Sequence, residues 1–319
     1  MTVVQDKFNH QGQMLANKVK KRFRHLYKRY NRQQISVFRL YDWDIPEIRA
    51  VVDWYDGHLV IGEYRRKQST PDWLPLMGTY VAQALNVPEH HVHLKIRKAG
   101  IKEGKRYERL HHHNEKMVVQ ERALKFYINP TDYVDTGLFS DHRNTRQMIQ
   151  EMANGRRFLN LYCYTGTFTC YAARGGAIQT VSVDRSQTAI EWTKENLQLN
   201  RLMDSHHHFV QQDTQAFLKT ALQRYGRFDL AVVDPPSYST TRVKNHHVDI
   251  ARDYPQILNQ VFALMAPGAR VFFSTNHQNF TLETRHLHAT DITEITQKTI
   301  PEDYITKHKQ IHRCWEIVV

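Results

Sequence analysis

Cysteine is scarce in this chain: Cys163, Cys170 and Cys314 are the only three in 319 residues. That excludes a disulfide framework and a cysteine-rich zinc site. No apolar run is long enough to span a bilayer, and the N-terminal MTVVQDKFNH lacks the apolar core of a signal peptide. A cytoplasmic protein is expected. Internal repeats and low-complexity linkers are also missing. Histidine is plentiful, at 20 residues, with runs at His111-His112-His113 and His206-His207-His208. Yet neither H-E-x-x-H nor a Cys/His pair at zinc spacing accompanies them. They read as surface or RNA-facing polar residues, and no functional metal is expected.

What is present is a globular composition with a basic bias. Hydrophobic residues make up 41%, enough for a proper core. Lysine and arginine outnumber the acids 44 to 32, a net charge of +12, which favours a polyanionic partner.

The most informative stretch is FLNLYCYTGTFTCYAARGGA, residues 158–177. Its apolar opening reads as a buried parallel strand, Thr165-Gly166-Thr167 as a turn, and Phe168 to Ala173 as an apolar helix stripe ended by Gly175-Gly176. Strand, glycine turn and helix open a nucleotide-binding α/β unit, in which backbone N–H groups approach a ligand closely. The alternative is a βα turn with no ligand. The next strand, 180–183, ends at Asp184, placed to accept both hydroxyls of a ribose. A loop with the single Gly166 does not fit the G-x-G-x-x-G that a dinucleotide diphosphate requires. S-adenosylmethionine has no diphosphate, so one glycine with a polar Asn160 or Thr165 suffices for its amino-acid end.

A second motif completes the pattern. The apolar strand 228–233 runs directly into Asp234-Pro235-Pro236-Ser237-Tyr238. Two consecutive prolines hold the chain extended and present Asp234 at the carboxyl edge of the sheet. A rigid rim with Tyr238 beside it suits a flat heterocycle offered to a methyl group. Taken alone, the motif is simply a stiff strand exit. In the order Asn160, Gly166, Asp184, Asp234 it reads as a methyltransferase core, with Asp234, Pro235, Pro236 and Tyr238 as the catalytic candidates.

Along the chain, Leu15, Val19, Phe23, Leu26 and Tyr30 form one stripe of an amphipathic helix. Its other faces carry Lys18, Lys20, Lys21, Arg22, Arg24, Lys28 and Arg29. This is a solvated face or, as we prefer, a phosphate-binding one. Strands follow at 36–41, 50–55 and 58–64, the last two joined by the hairpin signal Asp56-Gly57. Residues 71–85 read as a helix and 91–97 as a strand. A basic loop then carries Lys102, Lys105 and Arg106 around Tyr107, and Asn114-Glu115-Lys116 is expected to turn 107–113 back into 117–120. Asn129-Pro130 marks the expected junction between a domain at 1–128 and a second at 129–319.

In the second domain, Ser140 or Asp141 precedes a helix with Met148, Ile149 and Met152. Asp141 is either its N-cap or, with Phe139 and Arg143, part of a pocket wall. Helices are expected at 188–199, 214–224 and 248–265, and strands at 208–211 and 269–274. Asp213 is placed to accept from an adenine amino group or to cap the helix behind it. Residues 291–299 and 310–319 read as a final antiparallel pair at the sheet edge. The cofactor-binding candidates are therefore Phe139, Asp141, Arg143, Asn160, Tyr162, Tyr164, Thr165, Gly166, Asp184, Arg185, Ser186, Asp213, Thr214 and Asp234.

The segments DTGLFSDHRNTR (135–146), FLNLYCYTGT (158–167), Asp184, DPPSYS (234–239) and EITQKT…QIHRCW (294–315) carry a resemblance. The N-terminal RFRHLYKRYNRQQISVFRLYDWDIPEIRAVVD extends it over nearly the whole chain. The chain resembles the RlmK group of methyltransferases, within the wider RlmI-like class I family. That resemblance implies an α/β fold: a Rossmann-like, seven-stranded methyltransferase sheet preceded by a small mixed α/β RNA-binding domain. It implies S-adenosyl-L-methionine as cofactor and N7-methylguanosine in helix 74 of 23S rRNA as product, made on naked rRNA or a pre-ribosomal large-subunit particle. The bifunctional relatives carry a second, RlmL half that is missing here, which makes a separate RlmL-like protein a candidate partner. Tyr238 stands after Ser237 rather than directly after the second proline, unlike the adenine-N6 enzymes. Two rivals are cytosine-C5 transfer, which calls for a cysteine nucleophile, and a non-catalytic RNA-binding protein that kept the fold.

Overall fold

A computed structural model describes residues 3–66, 69–98, 113, 115–236, 249–278, 280–306 and 309–319. The chain opens with the 30-residue helix α1 (Val3–Arg32), continued by β1 (Val37–Asp42), β2 (Ala50–Tyr55), β3 (His58–Arg65), α2 (Trp73–Leu85) and β4 (Val92–Lys98). Strands β1, β2 and β3 form an antiparallel meander, and β4 joins β3 in parallel. The expected stripe of α1 is its buried face: Leu15, Val19, Leu26 and Tyr30 are buried, with Phe23 packed beside them. Asp56 and Gly57 both take left-handed φ angles, 46° and 95°, as a tight hairpin turn requires.

Most of the hairpin expected around Asn114 falls outside the described residues. Strand β5 (Met117–Glu121) pairs antiparallel with β6 (Leu124–Ile128), and residues 107–112 lie outside the described residues. The turn at Arg122 (φ 56°) contains neither Gly nor Asn, so the usual hairpin signal is absent from the sequence. Val119, Leu124, Phe126 and Ile128 of this hairpin share one core with Val37, Tyr55 and Val60 on one side and Cys170, Tyr171 and Leu197 on the other.

Then follow α3 (Arg143–Met152), β7 (Arg157–Leu161), α4 (Thr167–Arg174), β8 (Gln179–Asp184), α5 (Gln187–Leu199), β9 (His207–Gln211), α6 (Thr214–Tyr225) and β10 (Phe228–Val233). The chain ends with α7 (Ile250–Phe262), β11 (Met265–Thr275), β12 (Asp291–Glu294), α8 (Thr296–Thr299) and β13 (Arg313–Val318). Seven strands form one sheet in the order β12-β13-β11-β10-β7-β8-β9. The five from β11 to β9 run parallel, while β13 and β12 form the expected antiparallel edge. One face, with Leu159, Leu161, Val181 and Val183, packs on α6 and α7; the other, with Phe158, Leu230 and Val232, packs on α3 and α4. The carboxyl ends of β7, β8 and β10 therefore meet at one edge, where parallel α/β sheets hold ligands. Among the described residues, no helix is long and apolar enough to cross a membrane.

Candidate active site at the carboxyl edge of the sheet

The loop after β7 is wound tightly. Tyr162 and Tyr164 take left-handed φ angles of 58° and 48°, and Gly166 one of 71°. Such strain at non-glycine residues persists only where neighbours over-determine it, and it concentrates at functional turns. A Cβ on Gly166 would lie 2.3 Å from Thr193 Cγ2, so α5 leaves room only for glycine. Asp184, at the end of β8, grips this loop: Oδ2 accepts from the Tyr164 N–H at 3.1 Å and Oδ1 from the Ser186 N–H at 2.8 Å. Burial pushes its carboxyl above the usual range, opposed by those backbone N–H groups and by Arg185. Ser186 caps α5 by accepting from the Ala189 N–H, and Arg185 is exposed beside it.

Asp213 caps α6, its Oδ1 accepting from the Gln215 and Ala216 N–H groups at 3.0 and 3.3 Å. This leaves Oδ2 without a partner among the described residues, so capping and ligand contact are compatible. Burial raises the Tyr162 phenol to about 12, against the effect of the neighbouring Thr214, so it acts as a neutral group. Phe139 is partly exposed and packs against Tyr164, ring centroids 5.2 Å apart.

Three expected cofactor contacts are structural instead. Asn160 shares a sheet face with Phe158 and so points at α4. Its Nδ2 donates to Thr169 Oγ1 at 2.9 Å, which in turn meets Ser182 Oγ at 2.7 Å. Thr165 is buried and donates to the Gly137 carbonyl at 2.6 Å, tying residues 135–138 to the loop. Arg143 is buried in an ion pair with Asp303 (2.6 Å), donates to the Ser140 carbonyl and lies over the Tyr30 ring. Burial would lower the pKa of that guanidinium, but Asp303 together with Tyr30, Glu121 and Tyr304 holds it above its ordinary value.

Asp141 is no helix cap, since α3 has His142 at its N-cap position and no side-chain cap. It enters a buried network that sequence reasoning missed. Asp141 Oδ2 accepts from His312 Nδ1 at 2.9 Å and lies 3.7 Å from His142 Nε2. His142 Nε2 is in turn 3.6 Å from Asp234 Oδ2, and Ser274, on β11, donates to Asp234 Oδ1 at 2.6 Å. His312 is held from its other side by Thr299 at 3.0 Å. Burial lowers the pKa of His142, partly offset by Asp234 and Asp141, so its neutral form is favoured. Asp141 is held below the usual carboxylate range: burial opposes this, but the charge of His142 in its protonated form and the hydrogen bond from His312 act the other way and prevail.

The ligand atoms of Asp141, His142 and His312 lie within 4.8 Å of one another. The two imidazoles, however, are stacked with centroids 4.3 Å apart and planes 10° from parallel. An imidazole binds a metal in its own ring plane, and two stacked planes do not meet at one ion. The cluster stands behind Asp234: His312 is hydrogen-bonded to Asp141, while His142 lies between the two carboxylates as an electrostatic contact beyond hydrogen-bond distance. His142 and His312 both sit in the group-specific segments 135–146 and 294–315, which was the available signal.

Asp234 thus stands at the end of β10, braced on two sides and still partly exposed; Pro235 is buried and Pro236 half-buried behind it. Tyr238 lies outside the described residues. On α1, Lys20, Lys21, Arg24 and Lys28 are exposed. Lys18 pairs with Asp44 at 3.3 Å, Arg22 donates to the Glu302 carbonyl at 3.2 Å, and Arg29 pairs with the Glu302 carboxylate. Lys102, Lys105 and Arg106 lie outside the described residues, as do His111 and His112. His207 is not a surface residue; it is buried between Thr180 Oγ1 and the Leu202 carbonyl, each at 2.8 Å.

A glycine turn under strain, a backbone-fixed carboxylate on the next strand and a braced Asp-Pro-Pro exit suit a nucleoside whose other end is an amino acid. The family of S-adenosylmethionine-dependent methyltransferases matches residues 43–285. This chain belongs to that family. It is 39% identical over 96% of its length to the ribosomal RNA large subunit methyltransferase K/L of Magnetococcus marinus, of which it spans 43%. It is 37% identical over 95% of its length to the ribosomal RNA large subunit methyltransferase K of Neisseria meningitidis serogroup B, of which it spans 86%. In fold it is similar to a methyltransferase crystallised with SAH (TM-score 0.77, 19% identity, 98% of this chain and 82% of that one). A methyltransferase from Streptococcus mutans gives 0.75 at 18% identity, over 98% of this chain and 81% of that one. The family's cofactor is S-adenosylmethionine.

Proposed function

We propose that this protein transfers a methyl group to N7 of a guanosine in 23S rRNA, in the helix 74 region, on naked rRNA or a large-subunit precursor. The bound cofactor supplies a methyl group on a sulfonium, activated for direct displacement. Guanine N7 carries an in-plane lone pair that is free at neutral pH, so the chain needs neither a general base nor a covalent nucleophile. Its task is to hold the base in line and exclude competing orientations. Asp234 and the two prolines behind it are the groups for that task, and Asp184 and Asp213 hold the nucleoside of the cofactor. The RNA itself would lie on α1, across Lys20, Lys21, Arg24 and Lys28, so that residues 1–128 dock the RNA and residues 129–319 carry the chemistry.

The observation that carries this reading is a fixed Asp234 with no exposed thiol to do covalent work: Cys314, opposite Ser274 on β13, feels the charge of Asp234 but is fully buried. Cys163, Cys170 and Cys314 are all buried, and burial pushes each thiol up, away from the thiolate that cytosine-C5 chemistry needs. The relatives' names, ribosomal RNA large subunit methyltransferase K and K/L, support rRNA as the substrate. The test is transfer from labelled S-adenosylmethionine to 23S rRNA lacking the modification, with the product nucleoside identified by mass spectrometry. N7-methylguanosine is expected. 5-Methylcytidine, or no transfer to rRNA or to large-subunit precursors, would overturn the reading.

A further inference from the structure

A cavity of about 460 Å³ opens beyond β11, within the size range of small-ligand pockets. We infer that it receives the acceptor nucleotide, flipped out of its RNA stack, an assignment that rests on the function proposed above. Position is the first argument. Along the carboxyl edge the strand order is β8 with Asp184, β7 leading to Gly166, β10 with Asp234, then β11 and β13. The cofactor candidates occupy one side of Asp234 and the cavity lies on the other, so that Asp234 and its prolines, which are not in the cavity lining, would meet the base at the cavity's inner end. Ser274 clamps Asp234 and the very next residue, Thr275, lines the cavity wall.

The lining is the second argument. The amides of Gln297 and Gln310 bring neutral donors and acceptors of the kind that read a base edge, while Gln278, its Nε2 donating to the Asn276 and Gln310 carbonyls, brings its amide oxygen. Ile305, 64% exposed at the rim, is an apolar surface that a base could cover. Lys309, beside the rim, is a cation within reach of a phosphate, now 3.1 Å from Asp42. This is the set a flipped nucleotide asks for: an edge, a face and a charge.

The two ends of the cavity tie it to the rest of the machinery. His312 lines it and is the first member of the buried chain through Asp141 and His142 to Asp234. Just before the lining residue Tyr304 in sequence stands Glu302, which α1 grips through Arg22, His25 and Arg29. An RNA backbone crossing the basic face of α1 is thereby led to the cavity mouth.

The test uses the full chain with Gln297→Trp, which fills the cavity from an exposed position on α8, and Ile305→Ala, which removes the apolar rim. Methyl transfer to unmodified 23S rRNA is measured beside calorimetric binding of S-adenosylmethionine. Gln297→Trp is expected to lower kcat/KM for RNA at least tenfold with cofactor affinity unchanged. Ile305→Ala should raise KM several-fold. Wild-type rates in both variants, while the native chain is active, would overturn this assignment and leave the proposed function standing. If the native chain methylates no RNA, that reading fails, and NMR titration with guanosine 5′-monophosphate decides the cavity separately. Binding to the native chain that Gln297→Trp abolishes would support the site; no binding, or binding that survives, would overturn it.

Discussion

Arg143 tests most sharply whether site residues can be told from structural ones. By position it sits just beyond Phe139 at the sheet edge, yet its guanidinium pairs with Asp303 across 160 residues of chain, both side chains almost fully buried. Removing one partner of such a pair strands a buried charge, at about 3–5 kcal/mol. Arg143→Met should therefore destabilise the protein by about that much. Asp303→Leu should cost at least as much, because Asp303 also accepts from Tyr30 Oη at 2.8 Å and the Arg39 N–H at 2.9 Å. Each buried donor left unsatisfied adds about 1–3 kcal/mol. The double variant should recover a good part of the summed loss, though not all, since Tyr30 and Arg39 still lack their acceptor. Urea unfolding followed by tryptophan fluorescence gives these values, and calorimetry at a temperature where Arg143→Met is folded gives its affinity for S-adenosylmethionine. That affinity should match the native protein's. A loss of stability below about 1 kcal/mol together with collapsed cofactor binding would refute the reasoning and return Arg143 to the pocket wall.

Gly166→Ala should abolish cofactor binding and lower stability together, because the new Cβ meets Thr193 at 2.3 Å on a left-handed backbone; calorimetry and a thermal melt check both. Asp184→Ala should weaken cofactor binding while RNA affinity survives. Replacing Lys20, Lys21 and Arg24 together should do the reverse and flatten the salt dependence of RNA affinity, each phosphate no longer neutralised lowering the log–log slope by roughly 0.7–0.9. Equal losses of both ligands in either variant would sink the division of labour between the two parts of the chain. His93 is pushed down to about 4, by burial first and then by His58 and Lys95. Its unfolded form takes up a proton near pH 6.5, before the folded form does, so stability should fall as pH drops from about 6.5 towards 4. Urea midpoints across that range should be flatter in His93→Gln.

Much of the fold is legible because it is periodic. The α1 stripe, the Asp-Gly hairpin and the apolar strand before Asp234 each repeat a local pattern that names the element and its buried face. The β5–β6 hairpin escaped because its turn, at Arg122, lacks the residues that mark one. Asn160 is a subtler case. The alternation of β7 already assigns it to the side of Phe158, facing α4, and parity weighed against motif position would have removed it from the cofactor set.

Arg143, Asp141 and the two histidines failed differently. Their partners, Asp303, Asp234 and one another, are joined by contacts spanning up to 171 positions. Such contacts have no period, and a charged side chain at a strand edge looks the same whether it faces a ligand or another charge. What separates the two is burial combined with a satisfied partner. Arg143 and Asp303 neutralise each other out of water, whereas Asp234, braced by Ser274 and His142, still keeps part of its surface open. A carboxylate fixed from behind and open in front keeps one side free for a ligand, which a fully buried pair does not. That asymmetry, together with the Asp-Pro-Pro spelling, is why we propose Asp234 as the residue on which the chemistry turns.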